Sequence, residues 1–163
     1  MSKPYNVLFI CTQNSARSIL AEAIVNTSGQ GRFRAWSAGS RPSGSVNPHA
    51  LALLSSLGID TAFARSKSWH DFASDDAPKF DFVFTVCDQA ALEPCPMWSG
   101  SPLSANWNVP DPAAMTGTEA EIGLAFSDTF RLLQNRIRLF MNLPVESLDR
   151  ISLQKRVDDI GKA

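Results

Sequence analysis

The chain reads as an α/β protein with a parallel sheet, and three observations predict this. Short apolar runs alternate with segments of helical periodicity along the whole length. The first run, Val7–Ile10, has no polar alternation, as expected of a strand buried on both faces. Pro and Gly punctuate the joins at positions that suit helix starts and stops. The expectation is one domain over residues 1–163, a four-stranded parallel sheet in order 2-1-3-4 with helices on both faces.

The elements follow in order. Tyr5–Ile10 is the first strand and Arg17–Asn26 the first helix. Phe33–Ser37 is the second strand, closed by Ala38-Gly39-Ser40-Arg41-Pro42. Asn47-Pro48 supplies a cap and a proline at the first helical position, and His49–Leu57 stops at Gly58. Phe80–Val86 is the third strand and Ala105–Val109 a short fourth. Thr118-Glu119-Ala120-Glu121 is a capping box that opens a helix to about Asn142. Pro144 is expected to open a last helix, with Leu148, Ile151, Val157 and Ile160 on one face.

Bulk properties narrow the function. Of 163 residues, 44% are apolar and 19% charged, enough for a sizeable core, and the net charge of −1 offers no basic surface for nucleic acid. No stretch has the length of a membrane span, and the N-terminal run is too short and wrongly flanked for a secretory signal, so a soluble cytoplasmic protein is expected. Three cysteines, Cys11, Cys87 and Cys95, are too few and too odd a number for a static disulfide framework. The two histidines, His49 and His70, form no ligand cluster with them, so no structural metal is expected.

Cys11 carries the most information. It ends a buried strand and opens Cys11-Thr12-Gln13-Asn14-Ser15-Ala16-Arg17-Ser18, which runs directly into a helix. The backbone amides of Thr12, Gln13, Asn14, Ser15 and Ala16 can wrap a tetrahedral oxyanion, and the helix start adds partial positive charge. Arg17 can clamp two oxygens through its planar fork. The same field is expected to lower the pKa of Cys11, and Ser18 can donate to its thiolate.

If the strand order is 2-1-3-4, Cys11 and Cys87 end neighbouring strands and face one crevice. Cys95 follows Cys87 in a Pro-rich segment, and two thiols there could relay a disulfide outward. Asp111, in Pro110-Asp111-Pro112 just past the fourth strand, could protonate a leaving oxygen. An Asp-Pro pair alone reads as a turn, but beside an oxyanion loop the acid is preferred.

These residues resemble a family. The segment Val7–Ser18 is similar to the anion loop of low-molecular-weight protein tyrosine phosphatases and of the arsenate reductases built on the same fold. The shared positions are Cys11, Asn14, Arg17 and Ser18, with Asp111-Pro112 as the acid; Trp36–Ser40 and Asn47-Pro48 also match. Phosphatases of this type place an aromatic after Asp-Pro, whereas Ala113 and Ala114 stand here, leaving Trp107 or Trp98 as substitutes.

Cys87 and Cys95 resemble the resolving cysteines of the reductases. The resemblance therefore implies reduction of arsenate, with weak phosphatase activity, in a monomer renewed by thioredoxin or by glutathione and glutaredoxin. It also suggests a monovalent cation near Asn14, Glu22 and Ser37, although Glu22 could equally be salt-bridged. The alternative is a phosphomonoesterase that works through a phosphocysteine.

Overall fold

The computed structural model describes residues 4–29, 31–87, 90, 96, 98 and 101–163. Its sheet is parallel and four-stranded, in the order β2-β1-β3-β4, as expected. The strands are β1 (Tyr5–Cys11), β2 (Phe33–Gly39), β3 (Phe82–Thr85) and β4 (Leu103–Asn106). The helices among the described residues are α1 (Arg17–Ser28), α2 (Pro48–Ser56), α3 (Glu119–Met141) and α4 (Arg150–Ile160).

Register decides which side chains share a face. Phe9 lies opposite Phe84, and Leu8 opposite both Trp36 and Val83. On the first of these faces, Phe84 stacks on Trp107 with ring centroids 3.8 Å apart, and Phe140 of α3 meets Phe33, Phe82 and Phe84 edge-on or tilted. Helix α1 packs on β1 and β2 and against α3, which is why Ser18 to Val25 are all buried. On the second face Trp36 meets Phe80, which also packs on Phe72 and Trp98. A 3-10 turn, Trp69–Phe72, lies on this face. Helix α2 packs on α1 and α3.

Asn47 caps α2 through a 2.8 Å bond from the His49 amide, and Gly58 ends the segment at φ +77°. The capping box at Thr118 and Glu121 is formed in full.

Two boundaries differ most from expectation. β4 ends at Asn106, not Val109, although the Trp107 amide still donates to the Thr85 carbonyl and Val109 to Val86. β3 has ended at Thr85, so these last bonds steer the chain into a loop instead of a ladder. The last helix starts at Arg150, not Pro144, because the Asp149 carboxylate caps it by accepting from Ser152 N. The shifted start turns Leu153, Val157 and Ile160 inward and leaves Ile151 84% exposed. No helix among the described residues is long and apolar enough to cross a membrane.

Candidate active site

Where β1 ends, the chain cannot continue the ladder, because the next carbonyls are captured from outside. The Thr12 carbonyl accepts from Arg41 N at 2.8 Å. That of Gln13 accepts from Ser43 N at 3.1 Å and from the Ser66 hydroxyl at 2.9 Å. That of Ser15 accepts from Asn47 N at 2.9 Å. In a planar trans peptide the N–H opposes the C=O. The amides of Gln13, Asn14 and Ala16 are therefore turned to the concave side of the loop. Helix α1 has no side-chain cap, so its first amides add to the same concavity.

Asn14 bends the loop with φ +48°, a left-handed conformation that Asn tolerates better than most residues. Its side chain is fully buried. Nδ2 donates to Ser18 Oγ at 2.8 Å, and Oδ1 accepts from the Lys67 amide at 2.8 Å. Gly39 lets β2 approach from behind. A Cβ there would sit 2.6 Å from the Thr12 carbonyl oxygen and 3.0 Å from Asn14 N.

The loop opens into a pocket of about 230 Å³, lined by Cys11, Thr12, Gln13, Ser15, Ala16, Arg17, Cys87 and Asp111. Neighbouring strand ends thus bring Cys11 and Cys87 together, as the strand order requires. Both thiols are free and buried. Cys95 lies outside the described residues.

The two sulfurs share a hydrogen bond and titrate as a unit. That bond, helped by the Thr12 hydroxyl 3.4 Å away, holds the Cys87 thiol down at about 5 against its burial. The same bond and burial push the Cys11 thiol up, outweighing the pull of Arg17. The expectation of a lowered Cys11 is corrected accordingly. The pair takes up one negative charge early and resists a second.

Arg17 reaches across to the β4 side. Nη1 donates to the Val109 carbonyl at 2.9 Å, and Nη2 stands 3.8 Å from Asp111 Oδ2. Asp111 plays both parts that the sequence offered. Its Oδ1 accepts from Ala113 N at 3.0 Å, capping the 3-10 turn Pro112–Ala114, while Oδ2 faces the pocket beside Arg17. The carboxyl is half-exposed, so it can exchange protons with water.

Neither tryptophan offered as an aromatic wall stands at this mouth. Trp107 is fully buried, stacked on Phe84, with its indole N–H donating to the Val157 carbonyl at 2.8 Å. Trp98 packs edge-on against Trp69 and Phe80. His49 bonds Glu119 at 3.0 Å and packs on Phe126, a tie between α2 and α3.

The expected monovalent cation is also corrected. Lys67 places its ammonium among the proposed ligands: 3.3 Å from Ser37 Oγ, 3.5 Å from Asn14 Oδ1 and 4.0 Å from Glu22 Oε1. A second cation there would meet that charge directly. Lys67 was missed in the sequence, where Arg65-Ser66-Lys67-Ser68 reads as an ordinary polar loop. Its burial depends on a contact between segments far apart in the chain. Arg136 was missed for the same reason. It is buried in α3 and donates to the carbonyls of Trp107, Asn108 and Ala163.

A thiol in an amide-lined loop, an arginine beside an acid and a parallel sheet in this strand order define an α/β protein with a pocket suited to an oxyanion. A model of the low molecular weight phosphotyrosine protein phosphatase family matches residues 6–155, and the chain belongs to that family. Among similar proteins, the arsenate reductase of Bacillus subtilis is 32% identical over 134 residues, which are 82% of this chain and 93% of that protein. The glutaredoxin arsenate reductase of Synechocystis is 33% identical over 106 residues, 65% of this chain and 77% of its own length. Among solved structures, an arsenate reductase in the phosphate-binding state matches with a TM-score of 0.63 at 27% identity, covering 82% of this chain and 97% of that one.

Proposed function

We propose that this chain is a single-domain arsenate reductase that uses Cys11, Arg17, Ser18, Asp111, Cys87 and Cys95. One observation carries the reading: a second buried free thiol, Cys87, lines the same pocket as Cys11. A phosphatase needs the nucleophile, the arginine and the acid, but no second sulfur. The relatives named arsenate reductase support the same reading.

In the first step the loop amides and Arg17 hold arsenate, and the anion draws the Asp111 carboxyl and Arg17 toward it. The Cys11 thiol proton passes to an oxygen of the bound arsenate, Cys87 stays a thiolate, and Cys11 Sγ attacks arsenic. An S–As bond forms, and one arsenate oxygen departs as water with a proton from Asp111. Ser18, already fixed by Asn14, has its hydroxyl proton left to stabilise the Cys11 sulfur as the charge returns to it. In the second step the Cys87 thiolate attacks Cys11 Sγ. The S–S bond forms, the S–As bond breaks, and its electron pair stays on arsenic, so arsenate becomes arsenite. Cys95 then attacks Cys87, which frees Cys11 and leaves a Cys87–Cys95 disulfide. An external thiol reductant, thioredoxin or glutaredoxin with glutathione, supplies two electrons to renew the enzyme.

A weak phosphomonoesterase activity belongs to the same proposal, because phosphate and arsenate share charge and shape. With Ala113 and Ala114 after Asp111-Pro112, an aryl group gains no flanking ring.

The test is a single turnover of fully reduced protein with arsenate and no external thiol, quenched and mapped by peptide mass spectrometry. One arsenite and one intramolecular disulfide per chain are expected. Cys11→Ser should lower arsenite release by at least ~10³-fold, and Cys87→Ser should stop release while sparing adduct formation. Full multiple turnover in Cys87→Ser, or three free thiols and no arsenite in the parent, would sink the relay.

The pH dependence has a definite sign. Cys87 at about 5 lies below its ordinary value of 9.0, so it is a thiolate at neutral pH and protonates only as pH falls through that value. Thiolate absorbance in the unliganded enzyme should therefore rise with an inflection near 5, and Cys11→Ser should move that inflection upward.

A further inference from the structure

Glu22 and Lys67 are a buried pair that the chemistry above does not use. Glu22 sits on α1, one turn beyond the loop, and Lys67 lies in the segment that follows α2. Each is about nine-tenths buried, and burial works against both charges: it raises the Glu22 carboxyl and lowers the Lys67 ammonium. A buried ion pair of this kind is seldom a net source of stability, so a specific role is the better explanation.

The contacts show what the pair is connected to. The Ser37 hydroxyl donates to Glu22 Oε1 at 2.5 Å and accepts from Lys67 Nζ at 3.3 Å. Nζ also donates to the Arg65 carbonyl at 2.7 Å and approaches Asn14 Oδ1 at 3.5 Å. Asn14 in turn donates to Ser18 Oγ. One ammonium therefore joins α1, β2, its own loop and the one left-handed residue of the anion loop.

Resting on the reading of this loop as the oxyanion site, we propose that Lys67 is a positioning residue. Its ammonium is an internal counter-cation that holds Asn14 in the conformation that turns the amides inward and Ser18 toward Cys11. Lys67 touches no substrate; it acts through Asn14. Four oxygens, from Asn14, Glu22, Ser37 and Arg65, converge on Nζ, so the charge, and not only the bulk, is used.

The experiment measures binding of inorganic phosphate to the full chain by calorimetry, with unfolding temperature recorded in parallel. Parent and Lys67→Ala are compared in tetramethylammonium chloride and in ammonium chloride at equal ionic strength. The parent should bind phosphate equally in both salts. Lys67→Ala should bind about tenfold more weakly in tetramethylammonium, and ammonium, which fits the vacated head-group position, should restore most of the loss.

A folded Lys67→Ala with parental affinity would overturn the proposal, as would a loss that ammonium does not relieve. Should that variant be too unstable to measure, Lys67→Arg and Lys67→Met carry the same comparison. Arg within about threefold of the parent with Met about tenfold weaker supports a positioning charge, and equal behaviour of the two overturns it. Phosphate binding does not depend on arsenic chemistry. A parent that binds phosphate in this pattern but releases no arsenite would refute the reductase reading alone.

Discussion

The two arms of the site are held by different kinds of group. The anion loop, Cys11–Ser18, is held mainly by backbone amides of Arg41, Ser43, Asn47 and Lys67 and by the Asn14 side chain. The acid arm, Trp107–Ala114, is held mainly by large side chains: Trp107 stacks under the sheet and bonds α4, and Arg136 of α3 grips two of its carbonyls. Arg17 joins the arms by bonding Val109 and facing Asp111. The loop is thus a rigid receptor for an anion, and the arm is a positioned lever for a proton. Affinity should follow the first and rate the second.

Breaking the lever at its tip should have the largest effect. Asp111→Asn keeps the cap to Ala113 but cannot supply a proton. The rate of adduct formation should fall roughly 10²-fold or more, with phosphate affinity within about threefold of the parent. A stopped-flow single turnover beside calorimetry checks both.

Next comes the back of the loop. Gly39→Ala forces a methyl group against the Thr12 carbonyl, with backbone on both sides and nowhere to yield. A loss of about 1–3 kcal/mol in stability and a clear drop in phosphate affinity are expected, read by urea unfolding and calorimetry. Unchanged affinity would mean that the loop is less rigid than its bonds imply.

The smallest and sharpest test is Arg136→Met, at a residue of α3 that does not line the pocket. It removes the Arg136 hydrogen bonds to the Trp107 and Asn108 carbonyls and should cost about 1–3 kcal/mol in stability. The adduct-forming rate should fall several-fold with phosphate affinity unmoved. A fall in affinity as large as that in rate would erase the distinction between the arms.

The same division explains what could be read in advance. The loop is a local object: a buried strand, a nucleophile, a short run and an arginine opening a helix, all within Val7–Ser18. The capping box at Thr118 and the Asn47-Pro48 start of α2 are equally local, and they formed as expected. β4 was misplaced toward Val109 because the apolar Trp107 and Val109 suit a strand, and only the early end of β3 denies them one. Trp107 looked available at the mouth because a sequence does not say which face a ring will take.

The sequence by itself determined the strand and helix order, the oxyanion loop with Cys11, Asn14, Arg17 and Ser18, and the Asp111-Pro112 turn. Each rests on periodicity or on groups a few residues apart. Only the tertiary structure decided that Cys11 and Cys87 titrate as a unit, that Lys67 fills the place considered for a soluble cation, and that Arg136 carries the acid arm. Those outcomes depend on burial and on contacts between residues tens of positions apart. Desolvation and Coulomb energies are set by distances in space, and the order of residues along the chain does not contain them.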